Sequence, residues 1–286
     1  MKTLPNAADL PLAPDGSLYH IHLTAETLAD DVILVGDPAR VDMFKTLFDT
    51  VEHESLNREL HALTGRYHGH RFTALSTGMG CDNIDIVATE LDVAAQGRSL
   101  RLIRIGTSGS LHADIPCGSL VASRYAIGLD GLMNWYQHTP DGFLPDMQQA
   151  FLQHMGSIPV APYCAECSTD LLERIANSQF SILNSQLAQG ITVTAPGFYG
   201  PQGRHIRLAP AVPNLVDRLA AFSWNGIPVT NLEMETSAIY GFANALGHQA
   251  LTVCLIIANR PTGTFLNDYH APMREAIGNI LDALSS

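Results

Sequence analysis

The sequence predicts an α/β protein built on a largely parallel sheet covered by helices, and three observations carry that expectation. Short apolar runs that end in glycine alternate with stretches of helical periodicity along most of the chain. Hydrophobic residues make up 46% of the 286 residues and charged residues only 15%, a balance that describes a well-buried globular chain. No linker, internal repeat or low-complexity tract interrupts the pattern, so residues 1–286 read as a single domain.

Asp31-Val-Ile-Leu-Val-Gly36 reads as a buried strand, with Asp37 placed to cap a following helix and Pro38 in its first turn. Arg71–Ser76 reads as a second strand, followed by the turn Thr77-Gly-Met-Gly80. A helix is expected from about Asn83 to Gln96, because Ile84, Val87, Leu91 and Ala94 share one face and Gly97 can close it. Leu100–Ile105 is the third strand and Gly106-Thr-Ser-Gly109 the turn after it, with Gly118–Ser123 as a fourth strand. Ile191–Thr194, Ile227–Thr230 and the strongly apolar Leu251–Ile257 read as later strands, Thr236–Leu246 and Pro272–Leu284 as helices. The stretch of about 128–167, with Trp135 and several prolines, is the least regular and reads as a flap or an interface insertion.

The formal net charge of -12 argues against a general nucleic-acid binder and leaves room for a small anion held by a few local arginines. No apolar run is long enough to span a bilayer, so no membrane partner is expected. Met1–Leu10 lacks the apolar core of a signal peptide, and five cysteines are an odd number for a disulfide framework; a reducing cytoplasm is the expected location. Cys164-Ala-Glu-Cys167 has a metal-like spacing but no second pair to complete four ligands, so no metal is expected. His68-Gly-His70 reads as a turn into the next strand. Thr77-Gly-Met-Gly80 is not a dinucleotide fingerprint, since Asn83 stands where its last glycine would be.

Two segments carry the chemistry. Phe198-Tyr-Gly-Pro-Gln202-Gly-Arg204 offers an aromatic face, an amide and a guanidinium in one short turn, a set that can stack on a planar ring and hydrogen-bond its edge. Asn231-Leu-Glu233-Met234-Glu235-Thr places two carboxylates where an apolar strand gives way to a helix, and carboxylates there can grip sugar hydroxyls. Arg104 interrupts an apolar strand beside Gly106, a position that calls for an anion. In an open α/β sheet ligands settle beyond the carboxyl ends of the strands, and Gly36–Arg40, Thr77–Gly80, Gly106-Thr107, Glu233–Glu235 and Asn259-Arg260 all fall there by chain order.

Gly36-Asp-Pro-Ala-Arg40, Ser76-Thr-Gly-Met-Gly80, Arg104-Ile-Gly-Thr107 and Glu233-Met-Glu235-Thr-Ser resemble, in order and spacing, the signature turns of the nucleoside phosphorylase-I family. The resemblance covers most of residues 18–125 and 190–285. It implies a three-layer α/β/α sandwich with a central mixed, mostly parallel sheet of the phosphorylase/hydrolase-like kind. It also implies an enzyme that cleaves a nucleoside with phosphate to a free base and ribose 1-phosphate, working as a homodimer at least and possibly a hexamer. No cofactor is implied, since phosphate is a co-substrate. In some relatives a monovalent cation sits between subunits at positions matching Glu59 and Asn83; Cys81-Asp82-Asn83 departs from the family pattern there, and the ion is not expected here.

By the same resemblance, Arg40, Arg104, Thr107 and the Gly36 N–H would hold phosphate, with Arg58 reaching into the neighbouring subunit's site. Met234 and Glu235 would hold the ribose. His20 would contact the 5′-hydroxyl across the dimer, with His22 as second choice. Phe198, Gln202, Arg204 and Arg260 look like the base-reading set of uridine phosphorylases, with Ile257 and Ala258 lining the base pocket. Purine-specific relatives usually carry an aspartate near Arg260, and Ile256–Arg260 contains no acid. Arg204 and Gln202 would stabilise charge on the departing uracil while Glu235 grips the sugar. The plain alternatives are a solvated helix residue for Arg40, a helix first-turn glutamate for Glu235, an exposed N-terminal strand for His20 and His22, and a surface loop for Phe198–Arg204. The competing functions are a purine nucleoside phosphorylase or water-using nucleosidase of the same fold, a non-catalytic nucleoside-binding protein, and, least favoured, a dinucleotide-binding oxidoreductase.

Overall fold

A computed structural model describes residues 6–139, 141–178 and 187–286; the first five residues of the N-terminal segment and Pro140 of the least regular stretch lie outside the described residues. Strand β1 (Asp31–Val35) is buried along its whole length. It passes directly into α1 (Pro38–Lys45), whose first turn is closed by the Asp37 carboxylate accepting the Ala39 N–H at 2.9 Å. An antiparallel meander follows: β2 (Thr50–Asn57), β3 (Leu60–Tyr67) and β4 (His70–Ser76). His68 and Gly69, both at positive φ, form the tight turn between β3 and β4. Helix α2 (Cys81–Ala95) buries Ile84, Val87, Leu91 and Ala94, as its periodicity predicts. Its end is set by Gln96 in the left-handed region, with Gly97 following at positive φ.

Strand β5 (Arg101–Ser110) is longer than the sequence predicts and absorbs Gly106–Gly109, which were expected to form a turn. The reason lies in its partner. Thr107 and Ser108 sit opposite Leu255 and Ile256 of a parallel neighbour that continues past them, so their backbone groups remain in a ladder. Next come β6 (Leu120–Gly128), α3 (Pro145–Met155), β7 (Tyr163–Glu166), α4 (Thr169–Ala176) and β8 (Ala188–Thr194). The stretch read as irregular therefore holds a 3-10 turn at Leu132–Trp135, a helix that buries Met147, Phe151 and Met155, and a strand paired with β6. The chain ends with α5 (Leu215–Ala220), β9 (Ser223–Trp224), β10 (Ile227–Glu233), α6 (Thr236–Leu246), β11 (Gln249–Asn259), β12 (Thr264–Phe265) and α7 (His270–Ser285).

The protein is a mixed α/β fold with a central, mostly parallel sheet flanked by helices. Strands β4, β1, β5 and β11 run parallel to one another, and β6, β8 and β10 form a second parallel set of opposite direction. The two sets join through antiparallel pairs at β11–β6 and β10–β5, so β5, β11, β6, β8 and β10 close on themselves like a small barrel. One edge of β5 is shared. β1 pairs with Arg101–Arg104, then β10 takes over at Gly109 and Ser110. Between them the sheet splits, and the carboxyl ends of β1 and β10 meet at the split. In α/β sheets such a divergence of neighbouring strands is where ligands bind.

Tyr240 of α6 ties the barrel together from inside. Its hydroxyl donates to the Ser123 carbonyl at 2.6 Å and accepts the Thr252 N–H at 2.9 Å, with the side chain fully buried. Tyr240→Phe leaves both backbone groups without that partner, and we expect a loss of about 1–3 kcal/mol of unfolding free energy with unchanged denaturant dependence, read by urea denaturation.

Candidate active site

The split in the sheet opens into a cleft of about 690 Å³. Gly36, Asp37, Pro38 and Arg40 reach it from the end of β1; Arg104, Thr107, Ser108 and Gly109 from β5; Leu232 to Glu235 from the end of β10; Ile257 and Ala258 from β11; Phe198, Gln202 and Arg204 from the loop after β8. Residues from five chain segments thus converge because the strands that carry them end together. Ile257 and Ala258 turn toward the cleft where a register shift interrupts the β5–β11 ladder after Ile256, one of the ways a strand re-aims side chains beside a site.

Arg104 lies at the centre, with 4% of its surface exposed. Its Nη2 donates to Glu235 Oε2, its Nη1 lies 3.5 Å from Glu233 Oε2, and Nη1 also contacts Cys254 Sγ at 3.4 Å. Burial opposes its charge, but the Glu235 and Glu233 carboxylates outweigh burial and raise its pKa above the ordinary arginine value. The guanidinium folds back across Gly106: a Cβ there would sit 1.7 Å from Arg104 Nη1. Residues 104 and 106 share a face of the strand, so only glycine leaves that path open.

The two glutamates divide the work. Glu233 accepts from Thr194 Oγ1 at 2.6 Å, the Glu235 N–H at 2.9 Å and the Thr236 N–H at 3.0 Å, so it caps the start of α6. Glu235 Oε1 accepts the Gly80 N–H at 2.7 Å, joining the start of α2 to that of α6. Burial pushes the Glu235 carboxyl upward, Arg104 pulls against it and Glu233 adds to the rise. Each carboxylate oxygen of Glu235 has one bond to the protein and a second acceptor position, so a sugar hydroxyl can still be held there.

Two buried donors are unsatisfied here: among the described residues Arg40 Nε and Arg104 Nε have no hydrogen-bond partner, and both side chains are buried. The Arg40 guanidinium is met by Tyr269, at 3.5 Å from Nη2 to the hydroxyl and 5.5 Å from Cζ to the ring centre. Among the described residues no carboxylate pairs with Arg40, so its charge is open to an oxyanion in the cleft it lines.

At the other end stands the loop after β8. Arg204 lies over the Phe198 ring, with Cζ 3.7 Å from its centre, and donates from Nη1 to Gln202 Oε1 at 2.7 Å. Arg260 does not line the cleft; its Nη1 donates to the Gln202 carbonyl at 3.0 Å and braces the loop from behind. Burial and the charge of Arg260 push Arg204 down to about 10. Among the described residues no carboxylate pairs with either arginine, which leaves positive charge beside a buried amide.

His20 and Arg58 are not brought to the cleft of their own chain. The His20 ring is held by Glu90, and Arg58 sits at the tip of the β2–β3 hairpin in the left-handed region. Glu59 and Asn83 are near each other, with Asn83 Nδ2 3.4 Å from Glu59 Oε1, and both line the rim. Cys164 and Cys167 are buried free thiols pushed up to about 12 by burial. Met79, in the Thr77–Gly80 turn expected at this rim, lines the cleft, and Tyr269 and Phe265, which were not anticipated, complete the lining. An aromatic just before the last helix gave Tyr269 a faint signal; nothing local marked Phe265.

Residues 30–284 match the Phosphorylase superfamily. The chain belongs to that superfamily. The phosphorylase is 29% identical to a uridine phosphorylase of Thermococcus kodakarensis over 265 residues, covering 91% of this chain and 83% of the relative. It is 28% identical to a DeoD-type purine nucleoside phosphorylase of Bacillus velezensis over 246 residues, covering 85% and 89%. Among solved structures it superposes on a Trypanosoma brucei nucleoside phosphorylase that shows uridine phosphorylase activity, with a TM-score of 0.87 and 30% identity over 97% of this chain and 100% of the other. The phosphorylase is an enzyme of pentosyl transfer, acting on nucleosides with phosphate.

Gly106→Ala is expected to displace the Arg104 guanidinium, whose atoms are the nearest to the added Cβ, and to weaken its contacts with Glu235 and Glu233. A misplacement of about 1 Å costs on the order of 100-fold in rate, and we expect that loss in kcat/KM for phosphate, with an unchanged circular dichroism spectrum, in steady-state assays at varied phosphate.

Proposed function

We propose that this phosphorylase cleaves uridine with phosphate to uracil and ribose 1-phosphate. The observation that carries the pyrimidine assignment is the loop after β8, where the Arg204 guanidinium lies over the Phe198 ring beside the Gln202 amide, with no acid among the described residues to neutralise its charge. A leaving uracil carries negative charge on its carbonyl oxygens, and donors already in place where charge develops lower the barrier without reorganisation. The position beside Arg260 supports the same reading. Asn259 spends both amide protons on the His112 and Ile115 carbonyls, at 2.8 and 2.9 Å, and its oxygen accepts from Thr262. That side chain has nothing left for the N7 edge of a purine.

In this reading Arg40, Arg104, Thr107 and the Gly36 N–H, all on residues that line the cleft, hold phosphate beneath the sugar. Met234 packs on the ribose and Glu235 accepts from its hydroxyls, while Phe198, Ile257 and Ala258 enclose the base and Arg260 holds the loop. Arg40 and Arg104 together only balance Glu233 and Glu235. A phosphate dianion then calls for further positive charge, and Arg58 of a second protomer supplies it, with that protomer's His20 at the 5′-hydroxyl. The working enzyme is a homodimer or a larger assembly of dimers.

The reaction follows from these placements. The glycosidic bond lengthens, the sugar gains oxocarbenium character, and electrons pass to uracil, where Arg204 and Gln202 meet them. Phosphate attacks the anomeric carbon from the opposite face. No covalent intermediate on the protein is required, and holding the nucleophile in line supplies a proximity contribution. The five free cysteines fit a reducing compartment, and the cytoplasm is the proposed location. Among the described residues no helix is long and apolar enough to cross a membrane.

A nucleoside panel with and without phosphate tests the assignment by liberated base. Uracil release from uridine that depends on phosphate is expected, and faster release of hypoxanthine from inosine contradicts the pyrimidine reading. Arg204→Ala is expected to lower kcat/KM for uridine by about 100–1000-fold, the usual effect of losing one donor to developing charge. Its melting temperature is expected to stay near that of the parent, because the side chain is only half-buried.

A further inference from the structure

Glu90 lies on α2 ten residues beyond Gly80, about 15 Å along the helix axis from the contact with Glu235. It is a buried carboxylate with 5% of its side chain exposed and no part in the cleft. Its oxygens are turned to the N-terminal segment. Oε2 accepts the Ile21 N–H at 2.9 Å and the His20 N–H at 3.1 Å, and Oε1 lies 2.5 Å from His20 Nδ1. From the other side Asn57 Nδ2 donates to the Tyr19 and His20 carbonyls, at 3.0 and 3.1 Å. Asn57 precedes Arg58, so the same network ties the hairpin tip that carries Arg58 to the segment that carries His20, the two residues that the proposed reading assigns to a neighbouring protomer's site.

We propose that Glu90 is a positioning residue that sets the tautomer of His20, so that its Nε2 presents a lone pair to the 5′-hydroxyl of the nucleoside in the adjoining protomer. This rests on the cross-subunit role given to His20 above. A carboxylate can only accept, so the proton must sit on Nδ1, and the neutral ring then has its lone pair on Nε2. Among the described residues Nε2 has no partner, and the side chain is 24% exposed. An acceptor at that point favours a hydroxyl, which can donate, over a hydrogen, which cannot, and over a 5′-phosphate dianion, which offers only acceptors. Glu90 thereby selects nucleosides over 5′-deoxynucleosides and nucleotides without touching either.

Glu90→Gln tests this sharply. The Ile21 and His20 N–H groups demand the amide oxygen, which leaves the amide NH2 facing Nδ1 and moves the ring proton to Nε2. We expect 15N spectra of the His20 imidazole to show the proton on Nδ1 in the parent and on Nε2 in the variant. We expect kcat/KM for uridine to fall by up to about tenfold, mostly in KM, as the ring stops accepting from the 5′-hydroxyl, which must turn to accept from Nε2–H instead. For 5′-deoxyuridine the change is expected to stay within about twofold, because that substrate offers nothing to the ring. In a His20→Ala background, Glu90→Gln should then change neither substrate further. Equal losses on both nucleosides, no loss on uridine, or an unchanged tautomer overturns the proposal. If His20→Ala spares uridine as well, the role of His20 itself falls. If the parent enzyme cleaves inosine and not uridine, the base assignment falls alone, and the comparison runs unchanged with inosine and 5′-deoxyinosine.

Discussion

The buried ion cluster of Arg104 with Glu235 and Glu233 is the interaction on which the site depends. It forms where β1 and β10 part from β5, and it closes a gap that a sheet of this topology cannot close with backbone hydrogen bonds. Removing one member of a buried charge set leaves the others uncompensated, which costs several kcal/mol. The cluster also links parts of the chain that are far apart in sequence. Glu235 joins α2 through Gly80, and Glu233 caps α6. The candidate cleft is therefore built on the contacts that hold the two strand sets together, and its rigidity comes from the fold itself.

The charges in the cleft are arranged in two poles. At one end arginines are balanced by glutamates yet keep unpaired Nε donors. At the other, Arg204 and Arg260 stand without carboxylates around the buried Gln202. A nucleoside with phosphate fits this division, since one anion is a reactant and the other appears as the base departs. The near balance of the first pole also gives a physical reason for a second protomer. His20 lies outside the cleft of its own chain and is held by Glu90 and Asn57, and the exposed Arg58 follows Asn57 at the hairpin tip.

Much of this was legible in the sequence because it broke a local pattern. Arg104 was conspicuous as a charge within an apolar strand, and Asp37 with Pro38 marked the start of α1. Glu233 and Glu235 stood out where an apolar strand met a helix, although only the structure shows that Glu233 caps the helix and Glu235 holds Arg104. Gly106-Thr-Ser-Gly109 misled, because turn composition and a strand that must let an arginine fold over it call for the same small residues. Strand β2, Thr-Val-Glu-His-Glu-Ser-Leu-Asn at the sheet edge, was invisible because its solvent-facing residues dilute the alternation. The helix and strand within 128–167 were hidden by prolines that begin or flank elements rather than break them. Glu90 could not be found at all from sequence, since its partner lies 70 residues away.

Where an oxyanion settles decides whether the arginines of the cleft serve phosphate. A crystal structure of the enzyme soaked in phosphate tests it most directly. The prediction is an anion bound in the cleft against the Arg40 and Arg104 guanidinium groups and the Gly36 N–H, with Arg58 of an adjoining protomer closing the cage. An empty cleft at saturating phosphate, or an anion held away from both arginines, contradicts it.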